Sequence, residues 1–238
     1  MQAIAPISKK FLDDYKVILL DMNSTFMFGE DRFAESEDFF ATYQRLGGNR
    51  LTRVAVDAAI RNCYHGMCAD YMDAGKIDDF PALAEGLHRY GACEESDIPP
   101  LEMVFTQHEL GHIPAEYAAC LQRLSRSHRL GVVSNIWAKK SSWLTEFSRV
   151  GIADIWHTKV FSSDSRSMKP SPRLFQEAVG CFDVPLSDIV FVGDSLRVDV
   201  EPAKLFGLAT VWIDSSALEH PMADCVVRSL LELETLGV

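Results

Sequence analysis

Two short apolar runs end in aspartate, and they limit what this chain can fold into. Val17-Ile18-Leu19-Leu20 runs into Asp21, and Ile189-Val190-Phe191-Val192 runs into Gly193-Asp194. A buried strand that ends in a carboxylate delivers that group to the carboxyl edge of its sheet, where open α/β folds keep their active sites. Two such strands, separated by more than a hundred residues of mixed chain, imply one shared carboxylate cluster. Such a cluster calls for a cation, because neighbouring carboxylates in one cleft do not all stay ionised without positive charge nearby.

The rest of the chain supports that frame. Strands are expected at 17–20, 130–134, 159–161, 189–192, 210–213 and 225–227, with helices at 115–125, 139–150, 171–182 and 199–206. This alternation predicts an α/β fold with a doubly wound parallel sheet. Residues 33–110 lack a convincing strand. Helical spacing appears instead in Phe39-Phe40-Tyr43-Leu46, Val54-Ala58-Ile60 and Leu83-Leu87-Tyr90, with breaks at Gly47-Gly48, Gly75, Gly91 and Pro99-Pro100. The expected organisation is an α/β core of residues 1–28 and 112–238 with an all-helical domain, 29–111, inserted after the first strand. Met27-Phe28-Gly29 and Gly111-His112-Ile113-Pro114 are the expected hinges.

Charge narrows the partners. A net charge of −11 over 238 residues repels phosphate backbones, so no nucleic-acid role is expected, and a small anionic substrate must be met by local cations. No run of eighteen apolar residues occurs, and the first sixteen residues hold no signal-like apolar stretch, so neither a membrane span nor secretion is expected. The six cysteines include no Cys-x-x-Cys pair and read as free thiols, as in a reducing cytoplasm.

Four pieces then fall in order: the strand ending in Asp21 with Thr25 four residues on; Gly131-Val132-Val133-Ser134-Asn135; Met168-Lys169-Pro170 ahead of a helix; and Gly193-Asp194 with Asp199 five residues later. As an ordered set they resemble the haloacid dehalogenase superfamily, mostly phosphate-ester hydrolases, and the likeness covers 16–214. The resemblance implies a Rossmann-like core with a helical cap and Mg²⁺ as cofactor. The substrate would be a small phosphorylated metabolite, cleaved through an aspartyl-phosphate intermediate on Asp21. It further implies that Thr25 and Ser134 donate hydroxyl hydrogen bonds to phosphoryl oxygens, and that Asn135 lies in the same donor group. Lys169 would neutralise the nucleophile and the transferring group, Asp21, Asp194 and the carbonyl of Asn23 would hold the metal, and Asp199 would brace it.

One position departs from the pattern. Phosphatases of this family carry an aspartate two residues after the nucleophile, which protonates the leaving oxygen and then activates water. Here that residue is Asn23, whose amide donates hydrogen bonds but transfers no proton at neutral pH. General acid–base catalysis is worth about 10²–10⁴ in rate, so Asn23 implies weak or atypical turnover. Two alternatives follow. One is a metal-free 2-haloacid dehalogenase, which needs no acid there but needs an arginine near the start of the cap; Arg32, Arg50 and Arg53 are available. The other is a non-catalytic phosphate-binding protein. A phosphonate-cleaving variant would need a cap lysine, and Lys76 is the only one in that segment. Arg61, Tyr64 and His65 are candidate substrate contacts, whereas His108 and His112 are expected to be solvated.

Overall fold

The computed structural model describes residues 11–216 and 218–235. The stretch 1–10, where no leader-like run was expected, lies outside the described residues. Six strands form one parallel sheet: β1 (Val17–Leu20), β2 (Arg129–Ser134), β3 (Trp156–Phe161), β4 (Ile189–Gly193), β5 (Ala209–Ile213) and β6 (Cys225–Val227), in the order β3-β2-β1-β4-β5-β6. Between β1 and β2 the chain forms only helices: α1 (Phe39–Arg45), α2 (Arg53–Tyr71), α3 (Leu83–Arg89) and α4 (Ile98–Glu109), with α5 (Ala115–Leu124) leading into β2. The remaining crossovers carry α6 (Ser141–Arg149), α7 (Ser162–Ser165), α8 (Pro172–Gly180) and α9 (Glu201–Phe206).

Strand periodicity sorts the core into two layers. Ile18 and Leu20 face one side with Leu121, Trp143 and Phe147, while Val17 and Leu19 face the other with Leu174, Phe175 and Ala203. The first layer runs on into the helices between β1 and β2 through Phe26, Met27, Phe33 and Phe105, so sheet and helices share one apolar cluster. After β3 the chain returns to the far side of β1 to form β4, and this reversal is the topological switch point where α/β sheets open a crevice.

The helical segment is fastened by its caps and its two crossings. Asp38 and Thr52 cap α1 and α2 by accepting hydrogen bonds from the backbone N–H groups of Ala41 (2.8 Å) and Ala55 (3.3 Å). Where the chain leaves and re-enters the sheet region, Phe28 and His112 exchange both backbone hydrogen bonds at 2.9 Å. A side chain at Gly111 would strike Met27 Cγ and the Phe28 carbonyl, both 2.8 Å from the position of a Cβ.

Two expectations are corrected. Pro99-Pro100 does not break a helix but occupies the first turn of α4, where the backbone N–H groups have no intrahelical partner to lose. His108 is not solvated: it is buried, with Nε2 3.0 Å from Thr42 Oγ1 and Nδ1 3.0 Å from the Arg32 carbonyl, and burial lowers its pKa. Among the described residues, no helix is long and apolar enough to cross a membrane.

Candidate active site

Three adjacent strands, β2, β1 and β4, carry Ser134, Asp21 and Asp194 to the same edge. The Asp21 backbone N–H donates to the Val192 carbonyl at 2.9 Å, so ladder pairing extends up to the site. Lys169 approaches from the loop before α8. It is 1% exposed, and its Nζ lies 2.5 Å from Asp21 Oδ1 and 2.6 Å from Asp199 Oδ1. Burial alone would lower the lysine pKa, but the Asp199 and Asp21 carboxylates outweigh it and hold the ammonium charged.

The loop after β4 places the remaining acids. A π-type turn over Leu196–Val200 brings Asp199 back over the strand end, where its Oδ2 accepts from the Ser195 N–H at 3.1 Å. Gly193 is required there, since a Cβ would lie 2.6 Å from Asp199 Cβ. One oxygen each of Asp21, Asp194 and Asp199 fall within 4.8 Å of one another. Asp194 is pushed up to about 7, first by burial and then by the charges of Asp21 and Asp199, with Lys169 offsetting only part. Asn23 Oδ1 is buried without a hydrogen-bond partner. This all-oxygen, carboxylate-rich donor set with one amine against three acids suits a hard divalent cation such as Mg²⁺. Asp199 already has both oxygens engaged, by Lys169 and by Ser195, which leaves Asp21 and Asp194 as the acids better placed to take one.

Other expected residues fall differently. Ser134 is 1% exposed and lines the cavity, and its Oγ has no partner in the protein. Asn135 also lines it, but its Oδ1 accepts from the Lys169 N–H at 2.8 Å and its Nδ2 donates to the Lys169 carbonyl at 3.0 Å and the Tyr71 hydroxyl at 3.4 Å. Its amide is therefore committed to holding the lysine loop, not to a ligand. Thr25 is a correction too. The turn in which Thr25, Phe26 and Met27 all donate to the Met22 carbonyl, with Ser24 at φ 55°, tucks Thr25 inside; it is 1% exposed and does not line the cavity.

The cavity, about 300 Å³, has a second wall drawn from the helical segment and from Trp137 in the loop after β2. Glu30, Asp31, Tyr64, Cys68, Tyr71, Glu109 and Trp137 line it, and of these only Tyr64 was foreseen. Glu109 is 4% exposed and accepts from the N–H groups of Trp137 (2.5 Å) and Ala138 (2.9 Å). Burial, joined by the Asp31 charge, raises it to about 8. Asp31 is raised to about 6 by burial and by Glu30. Its signal was present in part for Glu109, which continues the apolar stripe of Leu101, Phe105 and His108 along α4. Asp31, in a left-handed turn at φ 53°, had none. His65 is exposed, and Arg61 is held by the carbonyls of Ala34, Glu35 and Glu37 at 3.0–3.1 Å; neither lines the cavity.

A family model described as HAD-hydrolase-like matches residues 167–233. A glyceraldehyde 3-phosphate phosphatase of Pyrococcus abyssi is 28% identical over 103 residues, 43% of this chain and 42% of the relative. The chain thus spans less than half the length of that curated relative. Among solved structures, a HAD phosphatase from Thermococcus onnurineus aligns with TM-score 0.62 at 19% identity, covering 93% of this chain and 97% of the other. A 2-haloacid dehalogenase from Pseudomonas syringae pv. Tomato aligns with TM-score 0.61 at 20% identity, over 93% and 97%. At these identities the structural likeness is one of fold, and it is shared by phosphatases and dehalogenases alike.

Proposed function

We propose that this chain, a member of the haloacid dehalogenase superfamily, hydrolyses the phosphate ester of a small metabolite with Mg²⁺ as cofactor. The observation that carries this is the Asp21–Lys169–Asp199 chain, 2.5 and 2.6 Å long and buried beside Asp194 and the unpartnered Ser134 hydroxyl. In this reading an Asp21 oxygen attacks phosphorus as the bond to the ester oxygen breaks, giving an aspartyl phosphate and an alkoxide. Lys169 neutralises the attacking carboxylate and the phosphoryl group, and Ser134 Oγ–H donates to a phosphoryl oxygen. Mg²⁺ held by Asp21, Asp194 and the Asn23 carbonyl would offset phosphoryl charge. Water then attacks the aspartyl phosphate, releasing phosphate and restoring Asp21. Asn23 supplies no proton to the alkoxide, which takes one from solvent, and takes none from the attacking water, which gives its proton to solvent; with an activated ester, whose aryloxide leaves unaided, the second step is therefore the slow one. We assign residues 29–111 as a cap over an α/β core of 1–28 and 112–238, in a cytoplasmic protein.

A second reading, metal-free hydrolysis of a 2-haloacid, is favoured by Asn23 but finds no arginine among the described residues that line the cavity. Arg32 donates to the carbonyls of Gln107 and Leu110, Arg53 pairs with Asp38, and Arg50 reaches Ser96 and Asp97. Lys76, the candidate for phosphonate chemistry, is paired with Asp70. Rapid-quench kinetics with an aryl phosphate and Mg²⁺ test the proposal. The expected trace is a burst of phenol close to one equivalent per chain, followed by slow turnover. Linear release from the first turnover would remove the role given to Asn23, and no release above background would leave a phosphate-binding protein.

A further inference from the structure

The wall facing the strand tips carries acids that no basic side chain among the described lining residues matches. Six carboxyl groups line the cavity, and among the described lining residues the one basic side chain is Lys169, already paired with Asp21 and Asp199. A divalent ion and a phosphate would account for the acids at the strand tips, and the Trp137 and Ala138 N–H groups account for Glu109, but neither accounts for Glu30 and Asp31. Glu30 Oε2 is buried with no partner, its other oxygen accepting from Ser24 Oγ at 2.9 Å. Asp31, Glu109, Tyr64 and Cys68 all line the cavity, and the Asp31 N–H donates to the Glu109 carbonyl at 3.3 Å.

This wall is also aromatic. Trp137 stands between Tyr64 and Tyr71, with ring centroids 5.8 and 6.3 Å away. Glu109 is fixed against this wall by its hydrogen bond from the Trp137 backbone. Aromatic faces combined with carboxylates are a good environment for an organic cation, which gains from the ring quadrupoles as well as from the charges. An anionic leaving group would meet only repulsion there.

We propose that the preferred substrate is the phosphate ester of an amino alcohol, whose ammonium or quaternary ammonium group lodges among Glu30, Asp31, Tyr64, Tyr71 and Trp137. This rests on the phosphate-ester reading above and names its leaving group.

The test uses the full chain with Mg²⁺ and three esters: phosphocholine, its uncharged carbon isostere 3,3-dimethylbutyl phosphate, and the carboxylate-bearing phosphoglycolate. We expect kcat/KM for phosphocholine to exceed that of the isostere by at least about tenfold, the scale of a desolvated cation–π contact with charge assistance. Phosphoglycolate should be the poorest. Asp31→Asn, a change that suits the left-handed backbone, should erase most of the preference, read as the ratio of kcat/KM for phosphocholine to that for the isostere, and Tyr64→Leu should reduce it independently. Turnover of all three esters at similar kcat/KM would overturn the inference and leave the phosphatase reading standing. If no ester turns over, that reading fails. Calorimetric binding of phosphocholine against its isostere then decides the inference, with equal affinity overturning it and tighter binding of the cation supporting it.

Discussion

The two walls of the cavity are both acidic, yet they manage their charge in opposite ways. At the strand tips, Asp21 and Asp199 share a fully buried lysine at 2.5 and 2.6 Å, and Gly193 leaves room for the turn that makes this possible. On the helical side, the described lining residues offer Asp31 and Glu109 no basic side chain beyond Lys169, and both are held above the ordinary carboxylate range, at about 6 and about 8. The first wall sets one amine against three acids, a balance that a divalent cation would complete. The second has no amine of its own among the described lining residues and keeps Glu109 protonated near neutral pH, with Asp31 the more acidic of the two.

The sharpest way to break the contrast is to remove the amine. Lys169→Met strands two carboxylates in a dry environment, and taking one partner from a buried pair destabilises by about 3–5 kcal/mol. Urea unfolding should show that loss, and turnover should fall by at least about 10²-fold. An unchanged midpoint would mean the acids at the strand tips are not held by the lysine. Next in size is Asn23→Asp, expected to raise steady-state phosphatase turnover at least about tenfold by restoring a proton carrier; stopped-time phosphate release measures it, and no gain would show that another group handles the proton.

The helical wall is probed by Glu109→Gln. A glutamate ordinarily titrates near 4.5, but in the fold this one does so at about 8. Between those values the folded chain keeps a proton that the unfolded chain has lost, so stability falls as pH rises through the window and levels off above it. The glutamine variant should flatten the drop in Tm between pH 5 and 8 by at least about 2 °C. Identical profiles would mean Glu109 is ionised in the fold. The smallest effect belongs to Thr25→Val. With a buried, unpartnered hydroxyl outside the cavity, the variant should be equally active and up to about 1 kcal/mol more stable. Loss of activity would return Thr25 to the reacting centre.

The two walls also differ in how well they could be read. Asp21, Lys169 and Asp194 each follow or precede a local signal, an apolar run or a proline-led helix, and their order along the chain identified them. The strands were visible for the same reason, short apolar runs bounded by turn formers, but β6 is only three residues and the polar first half of β3, Trp156-His157-Thr158, gave no signal. Asp31 and Glu109 lie 78 positions apart in the sequence, one in a left-handed turn and one at a helix end, and each alone reads as a solvated acid. Only the backbone pairing of the chain after β1 with the end of α4 brings them together, the Asp31 N–H donating to the Glu109 carbonyl at 3.3 Å. Asn135 lines the cavity but divides its roles. Its place after a strand resembles a ligand position, but three-dimensional structure gives its amide to Lys169.

The paired crossing at Phe28 and His112 has an engineering consequence. Because the chain departs and comes back through a single doorway, the intervening eighty or so residues can be swapped for a different graft without rethreading any strand. Chimeras joined at that doorway could therefore inherit one reacting machinery and acquire a new selectivity wholesale.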